Sequence, residues 1–167
     1  MRKETKKIVR IGVVAAIYAA LTLSLGFISY GPIQFRISEV MTLLPLLGKE
    51  YILALTIGCF LANVIGPYGV PDIVFGTLAT FISVYLVYLT GKKMKHKPGY
   101  ILIASLWPTI VNAIIVGGVV LHVFFGLPLI LSALQVGFGQ FMVITIIGVP
   151  LFKIFNNKYS KLLKDMS

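Results

Sequence analysis

Acidic residues are scarce in this 167-residue chain, with five Asp and Glu against 15 Lys and Arg. Charged residues of both signs make up 12% of the sequence, well below the roughly 25% typical of soluble domains. The single cysteine, Cys59, lies inside an apolar stretch, so no disulfide framework is available. The sequence has no Walker motif, which rules out ATP hydrolysis by the P-loop mechanism. HExxH, CxxC and GxSxG are missing too, and His96, among lysines, cannot share a metal with His122 at the opposite surface. An Asp72–His122–Ser132 triad can be written down, but no spacing motif orients it. These gaps argue against a water-soluble enzyme, a disordered tail and a disulfide scaffold, and neither metal nor cofactor is expected. No ring of charges or filter sequence suggests a channel.

What the chain does have is apolar length. It is 58% hydrophobic, with a mean hydropathy of +0.97. The stretches free of charge are Ile11–Phe35, Val40–Gly48, Tyr51–Pro71, Ile73–Gly91 and Pro98–Phe152, the last long enough for two spans of about 20 residues. The basic residues are clustered around these stretches. Arg2, Lys3, Lys6, Lys7 and Arg10 precede the first; Lys92, Lys93, Lys95 and Lys97 interrupt the middle; Lys153, Lys158, Lys161 and Lys164 follow the last. Such clusters fit the positive-inside rule rather than a nucleic-acid-binding stripe, so no nucleic-acid partner is expected.

Putting all three clusters in the cytoplasm needs an even number of crossings between the first two, so the short segment at 37–47 must also cross. Helices are expected at 8–28, 37–47, 51–65, 73–90, 99–121 and 127–155. The expected fold is all-α, a polytopic six-transmembrane-helix bundle forming one domain over 1–167. Both termini are cytoplasmic, with basic ends at 1–7 and 156–167. Lys49 joins the inner side in a tight turn, leaving Arg36 as the outer exception. The first apolar run is too long for a signal peptide core and is read as a retained helix.

The outer side is the specialised one. As an α-helix, residues 37–47 would cover about 16 Å of a ~30 Å hydrocarbon core, so Ser29–Phe35 is expected to dip as irregular chain toward a cavity. Gly and Pro also punctuate the outer joints at 66–71 and 124–128. The outer ionised residues are Arg36, Glu39 and Asp72. Locally, Arg36 and Glu39 read as an i,i+3 pair and Asp72 as a helix cap. Charges at membrane depth are also candidate site residues. Asn63, Trp107, Thr109, Asn112, His122, Gln135 and Gln140 add polar groups, which singly read as interhelical glue. Ala15, Ala16, Ala19 and Ala20 place two small-xxx-small steps on the first helix, suited to close packing inside the bundle or to docking another subunit. Gly58, Ala62 and Gly66 carry the same signal on the third helix.

Two long charged motifs carry a resemblance. Ile28-Ser29-Tyr30-Gly31-Pro32-Ile33-Gln34-Phe35-Arg36-Ile37-Ser38-Glu39 and Asp72-Ile73-Val74-Phe75-Gly76-Thr77-Leu78-Ala79-Thr80 resemble the QueT family. Its members are substrate-binding S components of energy-coupling-factor transporters linked to uptake of queuosine precursors. The likeness is strongest from Ala15 to Gly91 and looser over the last two helices.

The resemblance implies a bacterial plasma-membrane protein whose pocket opens outward beneath loops one, three and five. It also implies a transmembrane T subunit contacting Ala15, Ala16, Ala19 and Ala20, two separate ATPase subunits, and tipping of the S component in the bilayer. The implied ligand is a 7-deazaguanine such as preQ1 or queuine. A guanine edge asks for a carboxylate opposite its N–H donors, an amide or Arg opposite O6, and an aromatic ring over its face. Tyr30, Gln34, Arg36, Glu39, Asn63, Tyr68, Asp72, Trp107, Asn112, Gln135 and Gln140 offer those types. Either Glu39 or Asp72 could read the base, and Arg36 is expected mainly to hold Glu39 in place. Other readings are an S component for another vitamin or nucleobase, a solitary secondary carrier, or a membrane enzyme at the outer face.

Overall fold

The structure, a computed structural model, describes residues 3–31, 33–95 and 97–165. Arg2, Pro32 and His96, and the side chains of Lys3, Lys161 and Lys164, lie outside this description. The described chain is helical throughout, with no strand among the described residues. Its principal helices are α1 (Lys3–Ser24), α2 (Ile37–Leu46), α3 (Glu50–Ile65), α4 (Gly69–Met94), α5 (Tyr100–Phe124) and α6 (Leu129–Lys158). Four of them, α1, α4, α5 and α6, are long and apolar enough to cross a bilayer, while α2 and α3 are shorter.

The α2 segment is not the α-helix its sequence suggested but ten residues of 3₁₀ helix with Pro45 inside. At about 2.0 Å per residue it reaches about 20 Å, farther than an α-helix of that length and still short of a ~30 Å core. It stands in the middle of the fold. The other five helices form an arc in which α1 packs on α3, α3 on α4, α4 on α5 and α5 on α6, and α2 touches all of them. So long a 3₁₀ run is uncommon, and here neighbours on nearly every side hold it.

Close packing depends on small residues. A β-carbon on Gly58 would come within 2.9 Å of the Ala15 carbonyl and of the Tyr18 β-carbon, so α1 and α3 can meet there only because position 58 has no side chain. This divides the alanine face of α1. Ala15 and Ala19 are buried against the bundle, whereas Ala16 and Ala20 point outward. Large apolar side chains such as Ile8, Val13, Leu61, Val74, Ile114 and Leu134 cover the outside, as a lipid-facing surface requires.

The bundle has two unlike ends. At one, Arg10 pairs with Glu50, Lys92 and Lys95 line a depression with Gly48, and Lys97 lines another with Lys153. This basic end gathers α1's beginning, both turns that the sequence marked as charged, and α6's tail. At the far end, aromatic rings join three loops. Tyr30 meets Tyr68 edge-on at 6.4 Å, and Tyr68 meets Phe125 at 5.3 Å.

Candidate functional site

Beneath that aromatic cover lie ionised groups that the membrane-spanning helices bury. The chain enters through the stretch that ends at Arg36, where Gln34 adopts φ +53, a left-handed conformation uncommon outside glycine. A β-carbon on Gly139 of α6 would collide with the Ile33 carbonyl, so that glycine lets the irregular segment lie directly on α6. Of the stretch expected to dip as irregular chain, Ser29 instead ends a short helix from Gly26, Pro32 lies outside the described residues, and Gln34 turns into the bundle. Gln34 is 2% exposed and Arg36 is 3% exposed.

Arg36 reaches Asp72 rather than Glu39. Its Nη2 donates to Asp72 Oδ2 at 2.8 Å and its Nη1 to Asn63 Oδ1 at 3.2 Å, while the guanidinium lies 5.3 Å from the centre of the Tyr30 ring. Asn63 closes the triangle by donating Nδ2–H to the Asp72 backbone carbonyl at 2.9 Å. The expected Arg36–Glu39 pair is therefore corrected, and the reason is local. Arg36 precedes α2 with φ −82 and ψ 94, an extended conformation, so helical i,i+3 geometry does not apply to it. Asp72 is not a cap either. Helix α4 starts earlier, at Gly69, whose φ of +63 makes the turn, and Pro71 sits in its first turn, where a missing N–H costs little.

Glu39 instead accepts a hydrogen bond from the Tyr18 hydroxyl of α1. One turn along, Thr22 and Ser38 hydroxyls lie 2.6 Å apart. Tyr30 donates its hydroxyl to the Ala62 carbonyl at 2.6 Å, serving the C-terminal end of α3, and Tyr68 donates to the Tyr30 carbonyl at 2.9 Å. These bonds tie α2 to α1, and loop one to α3 and the loop after it.

Several polar atoms in this interior have no protein partner: Ser29 Oγ, Gln34 Nε2, Arg36 Nε, Glu39 Oε2, Asp72 Oδ1 and Gln140 Oε1. Buried polar groups are normally satisfied, so six together make this interior the candidate site. All but Gln140 belong to the two charged motifs, and Gln140 lies on α6. Backbone geometry points the same way. Helix α4 is π-helical over Asp72–Gly76, α5 from Ala113 directly after Asn112, and α6 from Phe141 directly after Gln140. Such wide turns are rare and concentrate at functional sites. A β-carbon on Gly76 would overlap the Asp72 carboxylate and approach Asn63 Nδ2 to 2.9 Å, so the site also needs glycine there.

Not every sequence candidate joins this constellation. Trp107 lies toward the basic end, donating Nε1–H to Thr90 Oγ1 at 2.9 Å and packing on the cluster of Leu43, Leu46 and Val87, which removes it as a ring over the ligand. It enters α5 only seven residues after Tyr100, too early to reach the far end. Asn112 is buried but bonds the Pro108 carbonyl of its own helix at 3.0 Å, and Gln135 is half-buried. His122 is exposed and lies 2.7 Å from the Leu127 carbonyl. Among the described residues no group of His, Cys, Asp and Glu could hold a metal.

Tyr18, Thr22, Ser29 and Cys59 were missed. Cys59 accepts hydrogen bonds from Asn63 Nδ2 at 3.3 Å and Thr80 at 3.1 Å, so it belongs to the polar network as well as the apolar stretch. The available signal was a Tyr at the centre of a span, away from the interfacial belts where tyrosines concentrate, followed four residues later by Thr22.

Comparison with known proteins leads to one family. The sequence pattern described as QueT transporter matches residues 8–157. A curated protein, the queuosine precursor transporter QueT of Lactococcus lactis subsp. cremoris (strain MG1363), is similar to this chain at 41% identity over 97 residues, covering 57% of this chain and 57% of that protein. The matched part thus spans little more than half the length of that relative. No solved structure matches the chain.

Proposed function

The chain belongs to the QueT transporter family, and from that premise we propose that it is the membrane-embedded substrate-binding S component of an energy-coupling-factor transporter that takes up a queuosine precursor. It is a multi-pass membrane protein of a transporter family, not an enzyme. The ligand in this reading is a 7-deazaguanine such as preQ1 or queuine, which binds under loops one, three and five. The observation that carries the reading is the set of unpaired buried atoms around the Arg36–Asp72 pair. Donors from Arg36 Nε and Gln34 Nε2, with acceptors from Asp72 Oδ1, Glu39 Oε2 and Gln140 Oε1, suit a flat base that has both donors and acceptors on its edge. Tyr30 or Tyr68 supplies the ring over its face. Asn63 positions Asp72.

Gln34, Arg36, Glu39, Asp72 and Gln140 are each 3% exposed or less, so the ligand enters only when the far-end loops part. In this orientation the basic end and both termini face the cytoplasm and all six helices count as crossings, in keeping with the basic clusters. The absence of a Walker motif fits two separate ATPase subunits reached through a transmembrane T subunit. Its docking surface comprises Ala16 and Ala20 and the opening of the arc between α1 and α6. There Val40, Met41 and Leu44 of α2 line an apolar groove of about 140 Å³ with Leu151, Phe152 and Phe155. Ala15 and Ala19, packed inside the chain, are not part of it.

The test is mass spectrometry of the small molecule that co-purifies with the protein, followed by calorimetric titration without ATP. A deazaguanine bound one to one is expected, weakened by both Asp72→Asn and Glu39→Gln. Stoichiometric binding of an unrelated vitamin, or unchanged affinity in both variants, would overturn the assignment.

A further inference from the structure

The three ionised side chains of the buried site do not balance. Arg36 is 3% exposed and is the single buried cation among the described residues, while Glu39 and Asp72 are both 1% exposed. Arg36 is committed to one of the two acids, through Nη2 on Asp72 Oδ2 at 2.8 Å, and its Nη1 is directed at Asn63. Glu39 has a neutral partner on one oxygen, the Tyr18 hydroxyl, and no partner on Oε2. Its place in the first turn of α2 brings the helix's partial positive charge close to the carboxylate, worth less than one full charge. A carboxylate removed from water without a cation is costly, and the cost falls when a cation arrives.

We propose that Glu39 is the counter-ion for a protonated amine on the ligand, and that the Arg36–Asp72 pair reads the neutral base edge. This rests on the deazaguanine reading above and assigns the two acids that the sequence left interchangeable. Asp72 Oδ2 is occupied by Arg36, so Asp72 keeps one free oxygen for an N–H, and the neighbouring Arg36 Nε is a donor for a carbonyl. Acceptor and donor side by side match the N1–H and O6 of a guanine edge. Glu39 Oε2, on a different helix from Asp72 and neither ion-paired nor hydrogen-bonded to Arg36, is left for a charged substituent. Occupancy by a monocation brings the buried set to two positive and two negative charges. The resulting specificity concerns the substituent at position 7, where amine-bearing bases are preferred to neutral ones.

The deciding experiment is calorimetric titration of the purified full chain in detergent at pH 7 with two probes, 7-aminomethyl-7-deazaguanine and its uncharged analogue 7-cyano-7-deazaguanine. Wild-type protein is expected to prefer the aminomethyl base by at least about 100-fold, the scale on which truncating one member of a buried charge pair acts. Glu39→Gln should lose most of that preference by weakening the aminomethyl base and leaving the cyano base within a few-fold. Tyr18→Phe, which keeps the charge and removes its phenol partner, should retain the preference. Tight and equal binding of both bases to wild type would overturn the counter-ion role while the deazaguanine reading stands, as would an equal loss of both in Glu39→Gln. Binding of neither base to wild type would overturn the deazaguanine reading and the counter-ion role with it. Should Glu39→Gln fail to fold, Asp72→Asn decides in its place: a retained preference with both bases weakened supports the assignment, and loss of the preference overturns it.

Discussion

Two salt bridges with the same 2.8 Å separation stand at opposite ends of this bundle. Arg10 and Glu50 at the basic end have side chains 48% and 20% exposed, whereas Arg36 and Asp72 at the far end are 3% and 1% exposed. Distance is therefore not what distinguishes them; the surroundings are. Water and salt screen the first pair, and its side chains give up conformational freedom for a small gain. The second pair has already lost its hydration, so each member depends on the other and on Asn63. One end leaves its charges in contact with water, and the other buries them in a hydrogen-bonded network.

The largest effect should come from separating the buried pair. Arg36→Met leaves Asp72 beside Glu39 with no cation nearby, and a loss of about 3–5 kcal/mol is expected in chemical denaturation in detergent micelles. Replacing both partners by apolar residues, Arg36→Met with Asp72→Leu, should recover much of that stability while abolishing ligand binding. A loss in Arg36→Met no greater than that in Arg10→Met would break the contrast between the two ends.

How far the sequence foretold this contrast varies residue by residue. The basic clusters and apolar runs located the helical segments and the two ends, because segregation by hydropathy is a strong and local signal. The irregular chain at Ile33–Phe35 was recognisable from the Gly and Pro before it and from the shortness of the helix after it, although Ser29, at the expected start, is helical. The 3₁₀ form of α2 was not legible, since it is imposed by five surrounding helices and not by its own residues. Pairing within the site was misread for a related reason. Three residues of separation suggested Arg36 with Glu39, but an extended backbone at Arg36 aims it at a residue 36 positions away. Trp107 was misplaced because composition says which side chains are polar or aromatic and not how deep in the membrane a helix carries them. Tyr18, hidden in an apolar run, became meaningful only once α1 was set against α2.

A smaller effect is expected from the glycine that makes room for Asp72. Gly76→Ala puts a methyl group on the carboxylate, so about 1–3 kcal/mol of stability should be lost together with ligand affinity. Gly118 of α5 is the control, because a β-carbon there would meet only Leu129 Cδ1 at 3.6 Å, an ordinary contact. Gly118→Ala should leave stability unchanged or raise it by less than about 1 kcal/mol, since alanine favours the helix. Equal losses at both positions would mean that crowding along the helices in general, rather than the geometry at Asp72, sets the cost.

The smallest effect belongs to the basic end and completes the contrast. Glu50→Gln removes the charge that Arg10 faces, yet the pair is solvent-exposed and should contribute between about 0.2 and 1 kcal/mol. Raising the salt concentration to about 1 M shortens the screening length to roughly 3 Å, so even this difference between wild type and Glu50→Gln should fade in denaturation curves. The buried pair, surrounded by protein and not by electrolyte, should keep its contribution under the same conditions. Measuring both variants, Glu50→Gln and Arg36→Met, across a salt series therefore separates the two kinds of charge directly. Parallel salt dependence in the two would show that water reaches Arg36 and that the far end is not the closed, desolvated site its burial describes.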